Sequence, residues 1–338
     1  MSINRRQFSA TMIAAASLPV LRPISRAFAQ SPAPTVTAPP TASPPPSASA
    51  SNPWQQLSAL SARASDLGLS VPRMSPGITL GTSFDEVMPA VVDFIDSVKA
   101  SAAGSNVPQS QIDDLINSAS SLLSDLQNKE RAPRSEASPA ELGVAPVSFD
   151  AIKDQYIELF NSCEPLASHR TQIAWYVGKL TDPDYDRQYQ QVEESVCVPW
   201  YFVGLIHAME ASFNFNAHLH NGDPLDRKTV HVPAGRPPVW LPPSDWASSA
   251  DDAMKYEGFA DQTDWSLARL LYRLEAYNGF GSRAHGINTP YLWSFSNHYS
   301  KGKYVSDGVW DASAVSQQCG AAVMLKAMVT AGKVTIPT

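Results

Sequence analysis

Only three cysteines, Cys163, Cys197 and Cys319, occur in 338 residues. So sparse and odd a set excludes a disulfide scaffold; one bridge stays open after export, and otherwise each thiol packs as a small apolar group. Positive charge is also short. Lys and Arg total 25 against 32 Asp and Glu, a net charge of −7, which speaks against a nucleic-acid partner and against general attraction to anionic surfaces. No apolar run reaches the ~20 residues that a membrane-spanning helix needs. Glycine is outnumbered by proline, 17 to 28. Much of that proline sits in "SPAPTVTAPPTASPPPSASASN" (31–52), a composition that builds no core and predicts an extended linker over residues 30–52.

What is present at the N-terminus is specific. "INRRQFSATMIAAASLPVLRPISRAFAQ" carries Arg5-Arg6, a short apolar run from Ala10 to Leu21, and the small-x-small site Ala27-Phe28-Ala29. This pattern predicts an export signal over residues 1–29. Arg-Arg-x-Phe resembles the core of a twin-arginine signal, and the apolar run of about a dozen residues is too short for an anchor. The mature protein is therefore expected to be exported, periplasmic or extracellular, with no transmembrane segment.

Three- and four-residue apolar spacing predicts helices at "FDEVMPAVVDFIDSVKASA" (84–102) and "SQIDDLINSASSLLSDLQNKE" (110–130). Residues 53–130 read as a small helical accessory region whose docking partner the sequence does not name. A second linker is expected over residues 131–147. The remainder, 148–338, holds every tryptophan except Trp54. Helical patterns recur there at "FDAIKDQYIELFNSC", "RTQIAWYVGKL", "DWSLARLLYRLEAYNGF" and, from Asp311 to Lys333, at the C-terminus. One short β element is expected at "KTVHVPAGRPP" (228–238). The chain thus reads as mainly α.

"VPWYFVGLIHAMEASFNFNAHLHNGDPL" (198–225) concentrates the chemistry. On a helix, Val203 lies about 20° and Ile206 about 40° around the axis from Glu210. A carboxyl group is thereby placed on an apolar face, where desolvation disfavours the charged form. A general acid that protonates a glycosidic oxygen needs such a seat. A polar loop rich in His, Asn and Asp follows.

These residues resemble the lysozyme-like superfamily, which includes lytic transglycosylases and goose-type and phage-type lysozymes. Glu210-Ala-Ser212-Phe213-Asn214 is similar to the segment in which the acid Glu is followed by Ser and an aromatic-Asn pair. Ala276-Tyr277-Asn278-Gly279 is similar to the "AYNxG" segment that lines the cleft of transglycosylases. The resemblance covers about residues 195–330. It implies an α+β lysozyme-like fold: a helical domain over 148–338 with a small β-hairpin beside the active-site cleft, preceded by the small helical region. It also implies a glycoside hydrolase that acts on peptidoglycan strands with no cofactor. Glu210 is then the general acid that protonates the β-1,4 bond between N-acetylmuramic acid and N-acetylglucosamine. Asp223, with Thr229, is the candidate second group, and Asp226 competes with it.

Two variants stay open. One is a lytic transglycosylase, which needs no second carboxylate; the other is a non-catalytic glycan-binding wall protein. Chitin is a second substrate possibility. His220, Asn221, Tyr277, Asn278, Tyr291 and Trp293 are the candidate substrate contacts, with flat rings suited to pyranose faces. His218-x-His220 with Asp223 also has the donor types of a zinc site, although no metal is expected. Glu275 reads as structural.

Overall fold

The computed structural model describes residues 52–72, 83–130, 147–240, 245–306 and 308–337. The expected export signal lies outside them, as do all but the last residue of each expected linker. The apolar spacing of the first region produces α1 (Pro53–Asp66), α2 (Phe84–Ala102) and α3 (Gln109–Glu130). Asn52 opens α1 with a capping box, its side chain accepting from the Trp54 amide at 2.9 Å while Gln55 reaches back to its own amide. There follow α4 (Phe149–Asn161), α5 (Arg170–Leu180), α6 (Pro183–Val196) and α7 (Trp200–Ala211). Asp182 caps α6 by accepting from the Asp184 amide, with Pro183 at the first helical position. After a long irregular stretch come α8 (Trp246–Tyr256), α9 (Leu267–Asn278), the single turn α10 (Pro290–Trp293) and α11 (Ala321–Thr330).

The expected class holds: the protein is mainly helical with one small antiparallel hairpin. The hairpin, however, is not where β character was expected. It joins β1 (Lys303–Ser306) to β2 (Val309–Asp311), with Tyr304 opposite Trp310. Residues 228–238 form no strand, because their hydrogen bonds close locally. The Thr229 amide donates to the Arg236 carbonyl at 2.8 Å and the Gly235 amide to the Thr229 carbonyl at 2.7 Å, while Pro233, Pro237 and Pro238 have no N–H to offer a ladder.

The axis of the molecule is α7, buried on every side from Tyr201 to Ala211. It packs against α3, α5, α6 and α11. Gly204 is what lets α6 come so close: a Cβ there would meet Leu180 Cδ2 at 2.9 Å and the Tyr189 ring at 3.1 Å. The region 53–130, read from sequence as an accessory piece, shares this core within one compact unit. Lys179 on α5 pairs with Asp93 at 2.9 Å and Asp96 at 2.6 Å on α2, and Tyr185 donates to the same Asp96. Lys303 of the hairpin is buried against Glu130 at 2.8 Å. Glu130 Oε1 also accepts the Gln317 amide at 2.7 Å.

Cys163 and Cys319 pack in the core, and Cys197 is an exposed left-handed cap of α6. No helix among the described residues is long and apolar enough to cross a membrane.

Candidate functional site

Glu210 occupies the last turn of α7 and is 1% exposed. Its Oε1 accepts the hydroxyl of Tyr291, on α10, at 3.0 Å. The final carbonyls of this helix have no intrahelical donors, and two distant glutamines supply them. Gln127 Nε2 donates to the Met209 carbonyl at 2.8 Å, and Gln318 Nε2 to that of Ala208 at 3.0 Å. The α7 chain then breaks through left-handed Ser212 and Phe213. Ser212 Oγ donates to Gln127 Oε1, and Asn216 Nδ2 to Ser120 Oγ at 3.1 Å. The segment after the acid is therefore fastened to α3.

"HLHNGD" is a tight turn. The Gly222 amide donates to the His218 carbonyl at 2.8 Å and the His218 amide to the Asp223 carbonyl at 2.6 Å. Gly222 is required twice over: its φ is +78°, and a Cβ would stand 2.8 Å from the Glu210 carbonyl oxygen. The turn consequently sits directly against the end of the Glu210 helix. Tyr277 ties it to α9, its hydroxyl donating to the Leu219 carbonyl at 2.8 Å.

Asp223 points into the loop that follows. Its Oδ2 accepts from the Val230 amide at 2.7 Å, the His231 amide at 2.9 Å and Asn221 Nδ2 at 3.1 Å. Its Oδ1 lies 2.6 Å from His231 Nδ1. Burial alone would raise its pKa, but the His231 side chain and the amides of His231 and Val230 outweigh this and hold the carboxyl below the usual aspartate value. Thr229 Oγ1 is likewise engaged, accepting the Arg236 amide at 2.8 Å and donating to the Pro233 carbonyl. Asn221 bridges Asp223 to the His231 carbonyl at 3.0 Å. These three residues act together as the frame of the 218–236 loop. Asp226 is elsewhere, paired on the surface with Arg227 at 2.7 Å.

The histidines are held by protein groups. His218 Nδ1 is 2.7 Å from Ser249 Oγ, and its Nε2 is 2.6 Å from the Arg227 carbonyl. His220 Nε2 is 2.8 Å from Asp252, whose carboxylate also receives Arg236. Among the described residues no group of three or more His, Cys, Asp or Glu is arranged to hold a metal ion. Of the proposed sugar contacts, Asn278 is exposed, whereas Tyr277, Tyr291 and Trp293 are 3%, 5% and 1% exposed and pack in the core. Glu275 is buried in a two-pronged pair with Arg283, both contacts 2.7 Å, and accepts the Tyr156 hydroxyl at 2.6 Å. Gln127, His231, Arg236 and Asp252 were not legible as partners, since nothing in their local spacing marks them.

A pH dependence follows from two buried imidazoles near the site. Burial lowers His207 from 6.5 to about 3 and His220 from 6.5 to about 4. Both folded values are depressed, so the stability they contribute is complete above pH 6.5 and is lost as pH falls toward those values. Asp223, also depressed, adds to the loss at still lower pH. At pH 5 each histidine is expected to cost about 2 kcal/mol of folding free energy. Thermal unfolding should give a flat Tm above pH 7 and a steep fall below 6; an unchanged Tm between pH 7 and 4.5 refutes this.

No protein-family model matches the chain, and neither the curated proteins nor the solved structures contain a match to it.

Proposed function

We propose that this is an exported enzyme that cleaves peptidoglycan glycan strands with Glu210 as general acid. The observation that carries the reading is the seat of Glu210: the last turn of a wholly buried helix, with the Tyr291 hydroxyl on its carboxyl and the 218–223 turn built against its carbonyl. A carboxyl group fixed at such a position is the kind of side chain that serves as general acid toward a glycosidic oxygen. The occupancy of Asp223 and Thr229 favours transglycosylase chemistry over hydrolysis. All four of the Asp223 contacts described above are spent on the loop, which leaves Glu210 to serve both steps. Glu210 protonates the leaving 4-oxygen as the C1–O bond breaks. Its carboxylate then takes the proton of the muramic 6-hydroxyl, whose oxygen bonds to C1 and closes the 1,6-anhydro ring. For a glycan to reach the carboxyl, the side chains covering it, Tyr291 among them, have to move aside.

Digestion of purified peptidoglycan followed by mass spectrometry tests this reading. Soluble fragments with 1,6-anhydro ends are expected; reducing ends would assign hydrolysis instead, and no release at any pH would remove the enzymatic reading. The 1% exposure of Glu210 favours the second reading, a non-catalytic wall-binding protein in which the buried acid serves the fold. That protein would bind the wall and release nothing.

A further inference from the structure

The flat rings put forward from the sequence are consumed by the core, so a glycan must be met by other aromatics. His285, Tyr304 and Trp310 form one half-open group at the hairpin. The His285 ring stacks on the Trp310 indole at 3.8 Å with 6° between planes, and Tyr304 stands edge-on to the indole at 5.1 Å. The Tyr304 hydroxyl lies 3.2 Å from His285 Nε2 and holds the set together. His285 is exposed and the other two rings are half-buried.

Beside this group is an open cavity of about 220 Å³, lined by Ile287, Asn288, His298, Tyr299, Ser300 and Lys301. Ile287, which lines the cavity, also neighbours the rings. A Cβ on Gly302, whose φ is +95°, would meet the indole at 2.8 Å and Ile287 Cδ1 at 3.3 Å, so Ile287 and Trp310 abut the same bare backbone. Asn288 Nδ2 donates to the His298 carbonyl at 3.2 Å and fixes one rim to the other. An apolar ring wall next to a hollow edged with amide, hydroxyl and ammonium groups matches a pyranose, which has one apolar face and a rim of hydroxyls.

The geometry points to a carbohydrate subsite here, in which one N-acetylhexosamine ring of a glycan strand occupies the hollow beside the His285–Trp310 stack. This rests on wall glycan being the ligand, but not on cleavage.

Calorimetric titration of the full chain carrying Glu210→Gln with the N-acetylglucosamine tetramer tests it, with sedimentation on purified peptidoglycan as the polymer assay. Trp310→Ala is expected to weaken both by about tenfold, and Trp310→Phe to restore part of the loss. His285→Ala, at an exposed position, repeats the test should Trp310→Ala lower the melting temperature. Binding within twofold of the parent in both alanine variants overturns the subsite, as does failure of the parent to bind either glycan. Binding without cleavage by the wild-type chain would overturn the proposed enzyme and leave the subsite standing.

Discussion

Replacing Glu210 by Gln is expected to reduce the release of soluble muropeptides by about 10²- to 10⁴-fold, the range associated with loss of a positioned general acid. The substitution isolates chemistry from folding. Gln keeps an oxygen able to accept the Tyr291 hydroxyl, now 3.0 Å from Oε1, and its volume is nearly that of Glu. What it lacks is a proton to give to a leaving alkoxide. Thermal unfolding should therefore shift little while turnover collapses, and wall sedimentation should survive. Retention of more than a tenth of the wild-type rate would take the acid role away from Glu210. A large fall in Tm with no activity in either chain would instead assign the residue to the fold.

The second large effect concerns stability. Asp223→Ala is expected to destabilise the protein by about 1–3 kcal/mol, because it removes the one buried acceptor shared by the buried Asn221 side chain and by donors of the exposed Val230 and His231. The amides of Val230 and His231 and the side chains of Asn221 and His231 all converge on this one carboxylate. Asp223→Asn keeps an acceptor oxygen but loses the charge, and should fall between the two. Denaturant unfolding reads the difference directly. Were Asp223 instead the group that activates water, both variants would lose activity at nearly wild-type stability. A loss below 1 kcal/mol for the alanine variant excludes the framing role.

Much of this architecture is written in local patterns. The 84–102 helix is legible because Val87, Val91, Phe94, Ile95 and Val98 recur at helical spacing, and each is buried. Glu210 is legible for the opposite reason, as a lone carboxyl on an apolar face. The hairpin was misplaced because "VHV" alternates like a strand, yet the prolines after it deny the ladder its donors. The signal missed was Gly308, which stands between β1 and β2 at φ +67°. Ring-bearing residues misled in another way. Tyr277 and Tyr291 are amphipathic in a cleft and equally so in a core, where their hydroxyls reach Leu219 and Glu210. Long-range partners such as Gln127 with Met209, or Arg236 with Asp252, carry no local mark at all.

The burial of Lys303 on Glu130 bears on how such a chain can be divided. A fragment that begins near residue 148 would deprive that ammonium of its anion and uncover the surface that α3 packs on. The same cut would remove Gln127 from the end of the Glu210 helix and both aspartates from Lys179. The C-terminal portion shares its core with the helices before it. A fusion or domain exchange that preserves this core is expected to need the stretch from Pro53 to Glu130 along with it.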